Sequence, residues 1–341
     1  MALSLAIAYA MALPLPFLCP IFALVLGAKP APPIGFKAML ETWTVVLMSL
    51  GVGLLLTPLL INYPASAILI VACGIYFSSY LILIAGKVLD GTFLTLGVTL
   101  VSAAGVFDFA FAATLIIALS LAIVVAVFCQ WAVYFWFPEN ALVIDKKKTD
   151  NTAGTTHKVI DYTQLNWVAI RSILIILPAY LFLLTNPTTY IAVIIKAISL
   201  GRQASTMHAR DAGRELLGST FVGGFFAIVF WFMLDLVTTL WMFTCWMLIF
   251  AVYLVSKIYG ISASRYPPSF WVNVVITMLI LLGPAVADSA GGKDVYAAFA
   301  VRMGQIVFVT LYAWLAIYLL ELIRYHRILG KSRLIPPIGA V

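Results

Sequence analysis

Residues 109–137 read FAFAATLIIALSLAIVVAVFCQWAVYFWF, without one charged side chain. A membrane-spanning helix needs about 20 apolar residues, and this run exceeds that. The next stretch, Pro138 to Asn166, is of the opposite character. It holds Asp145, Lys146, Lys147, Lys148, Asp150, Gly154, His157, Lys158 and Asp161. A long apolar run feeding a short polar linker, which is followed by another apolar run from Trp167, reads as a polytopic membrane protein cut near its middle.

Working outward, runs of spanning or near-spanning length recur on both sides. Before the linker they are Ala2 to Ala28, Phe36 to Ile61, Ala65 to Ala85, Thr92 to Val106 and Phe109 to Phe137. After it they are Trp167 to Leu184, Pro187 to Leu200, Leu216 to Leu234, Thr239 to Val255, Phe270 to Val286 and Val295 to Leu322. The first run, interrupted by Pro14, Pro16 and Pro20, is one kinked span or two short ones. Twelve helices would use roughly 240 residues, which leaves no room for a sizeable water-soluble domain. Composition agrees. Of 341 residues, 64% are apolar and 10% charged, against about 25% charged in soluble domains. Such a chain is no cytosolic enzyme, nucleic-acid-binding domain or disordered regulator. The expected fold is all-α, with two parallel six-helix repeats at 1–137 and 167–323, a cytoplasmic linker at 138–166 and a basic tail at 324–341.

The repeat is read from matched landmarks. Pro16 and Pro187 each open a short apolar run that ends at a glycine, Gly27 or Gly201. Gly53 and Gly224 fall in the third span of each half. Cys73 and Tyr80 find counterparts in Cys245 and Tyr253, Lys87 in Lys257, and Gly105 in Gly283.

Net charge is +7, and its placement sets orientation. With a cytoplasmic N-terminus, the inner side receives Lys29, Lys37, Lys87, the lysines at 146–148, Lys158, Arg202, Arg210, Arg214, Lys257, Arg265, Arg324, Arg327, Lys331 and Arg333. The outer loops receive Lys293 alone. Lys and Arg collect on the cytoplasmic side of membrane proteins, so both termini are expected inside. The first run lacks the basic lead of a signal peptide and reads as retained.

Chemistry is sparse. The four cysteines sit singly in apolar runs and the three histidines lie far apart, so no disulfide or metal site is expected. Gly330-Lys331-Ser332 resembles the end of a phosphate-binding loop. The glycine such a loop needs is replaced by Tyr325. No catalytic constellation and no cofactor are expected. Charges inside spans are costly and are therefore the candidates for function. Glu41 pairs with Lys37, snorkels or titrates. Asp108 caps the helix after it or couples protons. Asp235 closes the ninth span as a cap or in interfacial water. Lys196 has no acidic residue within four positions and needs either a cross-helix partner or an anionic substrate. Arg302 lies in the last span, nearly in line with Gln305, and Arg171 can snorkel. Prolines 14, 16 and 20 in one half, and Pro178 and Pro187 in the other, interrupt spans at comparable places near an expected path. The tryptophans and tyrosines read mainly as interfacial belts and packing residues.

The second half then runs Asn186-Pro187, a short apolar stretch, Gly201-Arg202, and Arg210-Asp211-Ala212-Gly213-Arg214-Glu215-Leu216-Leu217-Gly218-Ser219, with Gly223 and Gly224 following. This resembles the fusaric-acid-resistance and aromatic-acid-exporter superfamily. There a proline-marked short second helix leads through a basic turn into a glycine-rich third helix. The six-helix unit is similar to that of plant aluminium-activated malate-type anion channels. The chain lacks the large soluble domain of the exporters and is identified with a short, membrane-only branch. The resemblance implies a bacterial inner-membrane exporter of small anionic or aromatic compounds, proton-coupled, working with a periplasmic adaptor of the membrane-fusion type. On that reading Lys196, Arg202, Arg210 and Arg302 meet the substrate, while Asp108 and Glu41 couple protons. Partners would be the substrate, the adaptor, lipids and a second copy of the chain, with no nucleic acid. A passive organic-anion channel and a non-transporting scaffold of a secretion complex are the alternatives.

Overall fold

The computed structural model describes residues 1–27, 35–137, 162–204, 209–292 and 294–332. Within these the protein is entirely helical. The first half contains α1 (Ala2–Ala10), α2 (Leu18–Gly27), α3 (Phe36–Asn62), α4 (Pro64–Leu83), α5 (Val88–Phe107) and α6 (Phe109–Trp136). The second contains α7 (Tyr162–Thr185), α8 (Pro187–Ala204), α9 (Ala209–Leu236), α10 (Leu240–Ile258), α11 (Pro268–Ala290) and α12 (Val295–Ser332). Nine of the described helices are long and apolar enough to cross a membrane, which makes this a multi-pass membrane protein. The charged linker at 138–161, Lys29, Lys293 and the tail from 333 fall outside the described residues.

The outside of the bundle is greasier than a water-soluble surface tolerates. Leu55, Phe135, Trp136, Phe137 and Trp241 are all more than 75% exposed. Trp136 ends α6 and Trp241 begins α10. With helices alternating in direction, these two lie at opposite ends of the bundle, as interfacial aromatics do. The interior instead holds hydroxyls and one amide: Ser78, Thr95, Thr99, Ser102, Ser219, Asn273, Thr277 and Thr310 are buried. Backbone groups are satisfied within each helix, and most buried hydroxyls donate to the carbonyl one turn back, as Thr99 does to Thr95 and Thr310 to Ile306. Most hydroxyls of a lipid-immersed core are thereby kept bonded, Thr57 being an exception among the described residues.

Exchanging the halves reproduces most of the packing. Helix α1 packs on α10 as α7 packs on α4, and α2 reaches α11 as α8 reaches α5. Within each half, the third helix packs on the fourth, fifth and sixth. The two fifth helices form the centre. The apolar windows of α5 and α11 are 78% and 72% buried, and no other spanning helix exceeds 50%. Close crossings depend on glycine. A Cβ on Gly97 of α5 would run into the backbone of Ser49 in α3, and a Cβ on Gly53 into the carbonyl of Gly97. In the second half a Cβ on Gly223 would meet Val274 and Thr277. Gly223, one residue before the glycine that spacing alone pairs with Gly53, therefore has the corresponding environment.

The proline landmarks behave differently. The first run is two short helices. Its break carries positive φ at Ala12 and Leu15, an uncommon conformation for side chains with a Cβ. Pro20 lies inside α2 and Pro178 inside an unbroken α7, so neither interrupts its span. Pro187 sits at the start of α8, where a missing N–H costs nothing, behind Asn186, whose side chain accepts from the Thr189 N–H. Helix α5 carries an irregularity that spacing did not foretell, a π-helical turn over Gly97–Val101. It falls where α3 presses on Gly97, and such turns are frequent at functional positions.

Candidate functional site

Lys196 lies in the middle of α8. At about 1.5 Å per residue it stands roughly 13 Å from the Pro187 end, close to the mid-depth of a bilayer core about 30 Å thick. Its side chain is fully buried. Nζ donates to Asn273 Oδ1 at 2.7 Å and to Thr277 Oγ1 at 2.6 Å. Both acceptors stand on α11, four residues apart and therefore on one face of the helix. Thr277 donates onward to the Asn273 carbonyl at 2.7 Å, and Asn273 Nδ2 donates to Ser219 Oγ on α9. Ser219 in turn donates to the Leu216 carbonyl. Three helices thus converge on one ammonium.

The partners are all neutral. An ammonium carries three hydrogens, and the described residues accept two of them. No carboxylate among the described residues forms an ion pair with Lys196. A cation at this depth is expensive, by several kcal/mol, unless its charge is answered. Amide and hydroxyl oxygens offset part of that cost and leave the net charge in place. The sequence reading considered a carboxylate or a substrate and missed this neutral cradle. The available signal was the pair Asn273 and Thr277, spaced one turn apart in an otherwise apolar helix.

The other candidates lie elsewhere. Arg202, six residues further along α8, borders a void of about 20 Å³ with Ser78, Ser79, Thr95, Ser172 and Gly201. That is room for roughly one water, between the two halves at the basic end. Arg302 is committed to Asp288, with Nη1 and Oδ2 2.5 Å apart, so it stands in an internal ion pair and not as a free anion receptor. Asp288 drew no attention in the sequence. Asp108 is exposed and caps α6, accepting from the Ala110 N–H at 3.0 Å. Glu41 is exposed on α3. Neither carboxylate is bonded to Lys196, so the structure does not bring the expected coupling groups to the buried cation. The Arg210 side chain lies outside the described residues.

A larger cavity, about 400 Å³, opens at the other end of the second half. Tyr9, Trp231 and Phe243 line it, together with Asp235, Thr238, Thr239 and Ser289. It is bounded by α1 from the first half and by α9, α10 and α11 from the second. Among the described residues no group of three His, Cys, Asp or Glu side chains is placed to hold a metal ion.

Residues 1–133 match a family described as a protein of unknown function, DUF2955. No curated protein and no solved structure matches the chain. The family match ends inside α6 and so covers the half that does not contain Lys196.

Proposed function

We propose that this protein moves small organic anions across a bacterial inner membrane, with Lys196 as the charge that meets them. The observation that carries the reading is the fully buried ammonium held, among the described residues, only by neutral oxygens. An anion arriving there supplies the missing charge, takes the third hydrogen of Nζ and offsets a desolvation cost the protein already bears. The basic end of the bundle supports entry from the cytoplasm. Lys87 lies just before α5 and Lys257 in the last turn of α10, and a basic mouth concentrates anions. Likeness to the aromatic-acid-exporter superfamily supports an aromatic carboxylate as substrate and a periplasmic adaptor as partner.

Movement through a passive pathway is the second reading. It is favoured by the placement of Asp108 and Glu41, both exposed and neither bonded to Lys196. One experiment addresses both readings. Purified protein in sealed vesicles is given a step of benzoate, then of the uncharged isostere benzamide, with and without a proton gradient. Benzoate movement that benzamide does not share supports the anion reading. Dependence on the gradient selects the coupled exporter, and independence selects the channel. Equal handling of benzoate and benzamide contradicts anion transport in either form.

A further inference from the structure

The cavity at the end of the bundle opposite Lys87 and Lys257 has chemistry unlike that of Lys196. Its volume, about 400 Å³, lies in the range of small-molecule sites, which are concave, largely apolar and carry a few directing polar groups. Its walls are aromatic. Tyr9 of α1 meets Phe243 of α10 edge to face, with ring centroids 5.1 Å apart, and Phe243 packs on Phe230 at 5.5 Å. Trp231 adds an indole, and Asp235 stands one helical turn further along the same face of α9.

Among the described residues Asp235 is the only charged side chain in the lining, and it forms no ion pair with any of them. The Thr239 hydroxyl is engaged in capping α10, where it accepts from the Met242 N–H. Arg302, on the adjacent α12, is held by Asp288. Among the described residues, the charge that faces the cavity is therefore a carboxylate beside aromatic faces. That combination favours a cation carried on a ring: the carboxylate pairs with the charge and the rings contribute stacking and cation–π attraction.

We infer that this cavity is a binding site for ring-bearing primary amines, distinct from the Lys196 site and of opposite charge preference. The inference does not rest on anion transport. It makes the interface of α1 with the second half a place where aromatic ammonium compounds act, as cargo or as modulators of the helices they touch. An amine-headed lipid offers the same ammonium without a ring, and the test separates the two.

The test is equilibrium binding of radiolabelled tryptamine to the purified full-length protein in detergent. It is compared with indole-3-acetate, which has the same ring with the opposite charge, and repeated after addition of phosphatidylethanolamine. The expected result is saturable tryptamine binding, little binding of indole-3-acetate, and no displacement by the lipid. Asp235→Asn, at an exposed position, should weaken tryptamine by about tenfold or more, and Trp231→Ala should weaken both tryptamine and its uncharged ring analogue indole. Absence of saturable binding, equal binding of the two indoles, an unaffected Asp235→Asn variant, or displacement by phosphatidylethanolamine would each overturn it. Because the assay needs no transport, failure of benzoate movement leaves its outcome unchanged.

Discussion

The two halves share a plan and differ in what they put at its centre. In the second half, the α9–α11 crossing carries Ser219, Asn273 and Thr277, and Lys196 reaches into it from α8. In the first half, the α3–α5 crossing carries Ser49, Thr95 and Thr99 at matching places, all buried. The second helix there brings a ring instead of a cation: Phe22 of α2 stacks on Phe93 of α5 at 4.9 Å. Thr95 and Thr99 are satisfied locally, by the carbonyls of Gly91 and Thr95, and Ser78 closes the set. One half is thus a self-contained hydroxyl-lined core. The other keeps the same geometry, exchanges a threonine for an amide, and uses the added acceptors to hold a charge. A duplicated scaffold lets one copy close on its own hydroxyls while the other accommodates a buried charge.

The largest effect expected from breaking this comparison lies in the first half. Gly97 has no room for a side chain because the Ser49 backbone occupies it, and backbone cannot rotate away as a side chain can. Gly97→Leu should cost about 3 kcal/mol or more and remove folded protein from the membrane, seen as loss of the monodisperse peak in detergent. Gly27, with open space where a Cβ would be, should accept alanine without loss.

A middle-sized effect separates the charged crossing from the neutral one. Asn273→Leu removes a charge-assisted acceptor from a buried ammonium and should cost about 1.5–3 kcal/mol. Thr95→Val in the first half should cost about 0.5–1.5 kcal/mol. Thermal unfolding of the two purified variants checks the order. Adding Lys196→Met to Asn273→Leu should recover much of the loss, since an apolar pair leaves no charge unanswered. Two additive losses would mean that the two side chains do not act together.

The smallest effect should be the same in both halves. Asp108 caps α6, and Asp294 caps α12 through the N–H groups of Tyr296 and Ala297. Replacing either with alanine should lower stability by about 1 kcal/mol and leave benzoate movement unchanged. If Asp108→Asn, which keeps a capping oxygen, blocks transport while melting as wild type does, Asp108 is a coupling group and the second half does not hold the mechanism alone.

The helices were legible in the sequence because lipid removes ambiguity: a long uncharged run has almost no structure open to it but a helix. Run boundaries and the division into halves follow from that. Lys196 was legible as an outlier, a cation without an acidic neighbour in its own helix. Its neutral partners were not, because Asn273 lies 77 residues away in sequence and only the α8–α11 contact brings them together. Arg302 was misjudged for a related reason. Its partner Asp288 sits on α11 and looks, in sequence, like an ordinary residue near a span end. Prolines misled in the other direction, since Pro178 is absorbed by a continuous helix. The aromatic cavity joins α1 to helices more than 200 positions later, and no pattern along the chain announces it.

The central claim is that the buried charge of the second half is there for an anion. Lys196→Gln tests it most directly, since it keeps a hydrogen-bond donor near Asn273 and Thr277 while removing the charge. Benzoate flux into vesicles is measured for this variant and for wild type, alongside thermal unfolding of both. The account predicts that Lys196→Gln folds and melts close to wild type and loses benzoate flux by about tenfold or more. Wild-type flux through a folded Lys196→Gln protein would contradict it.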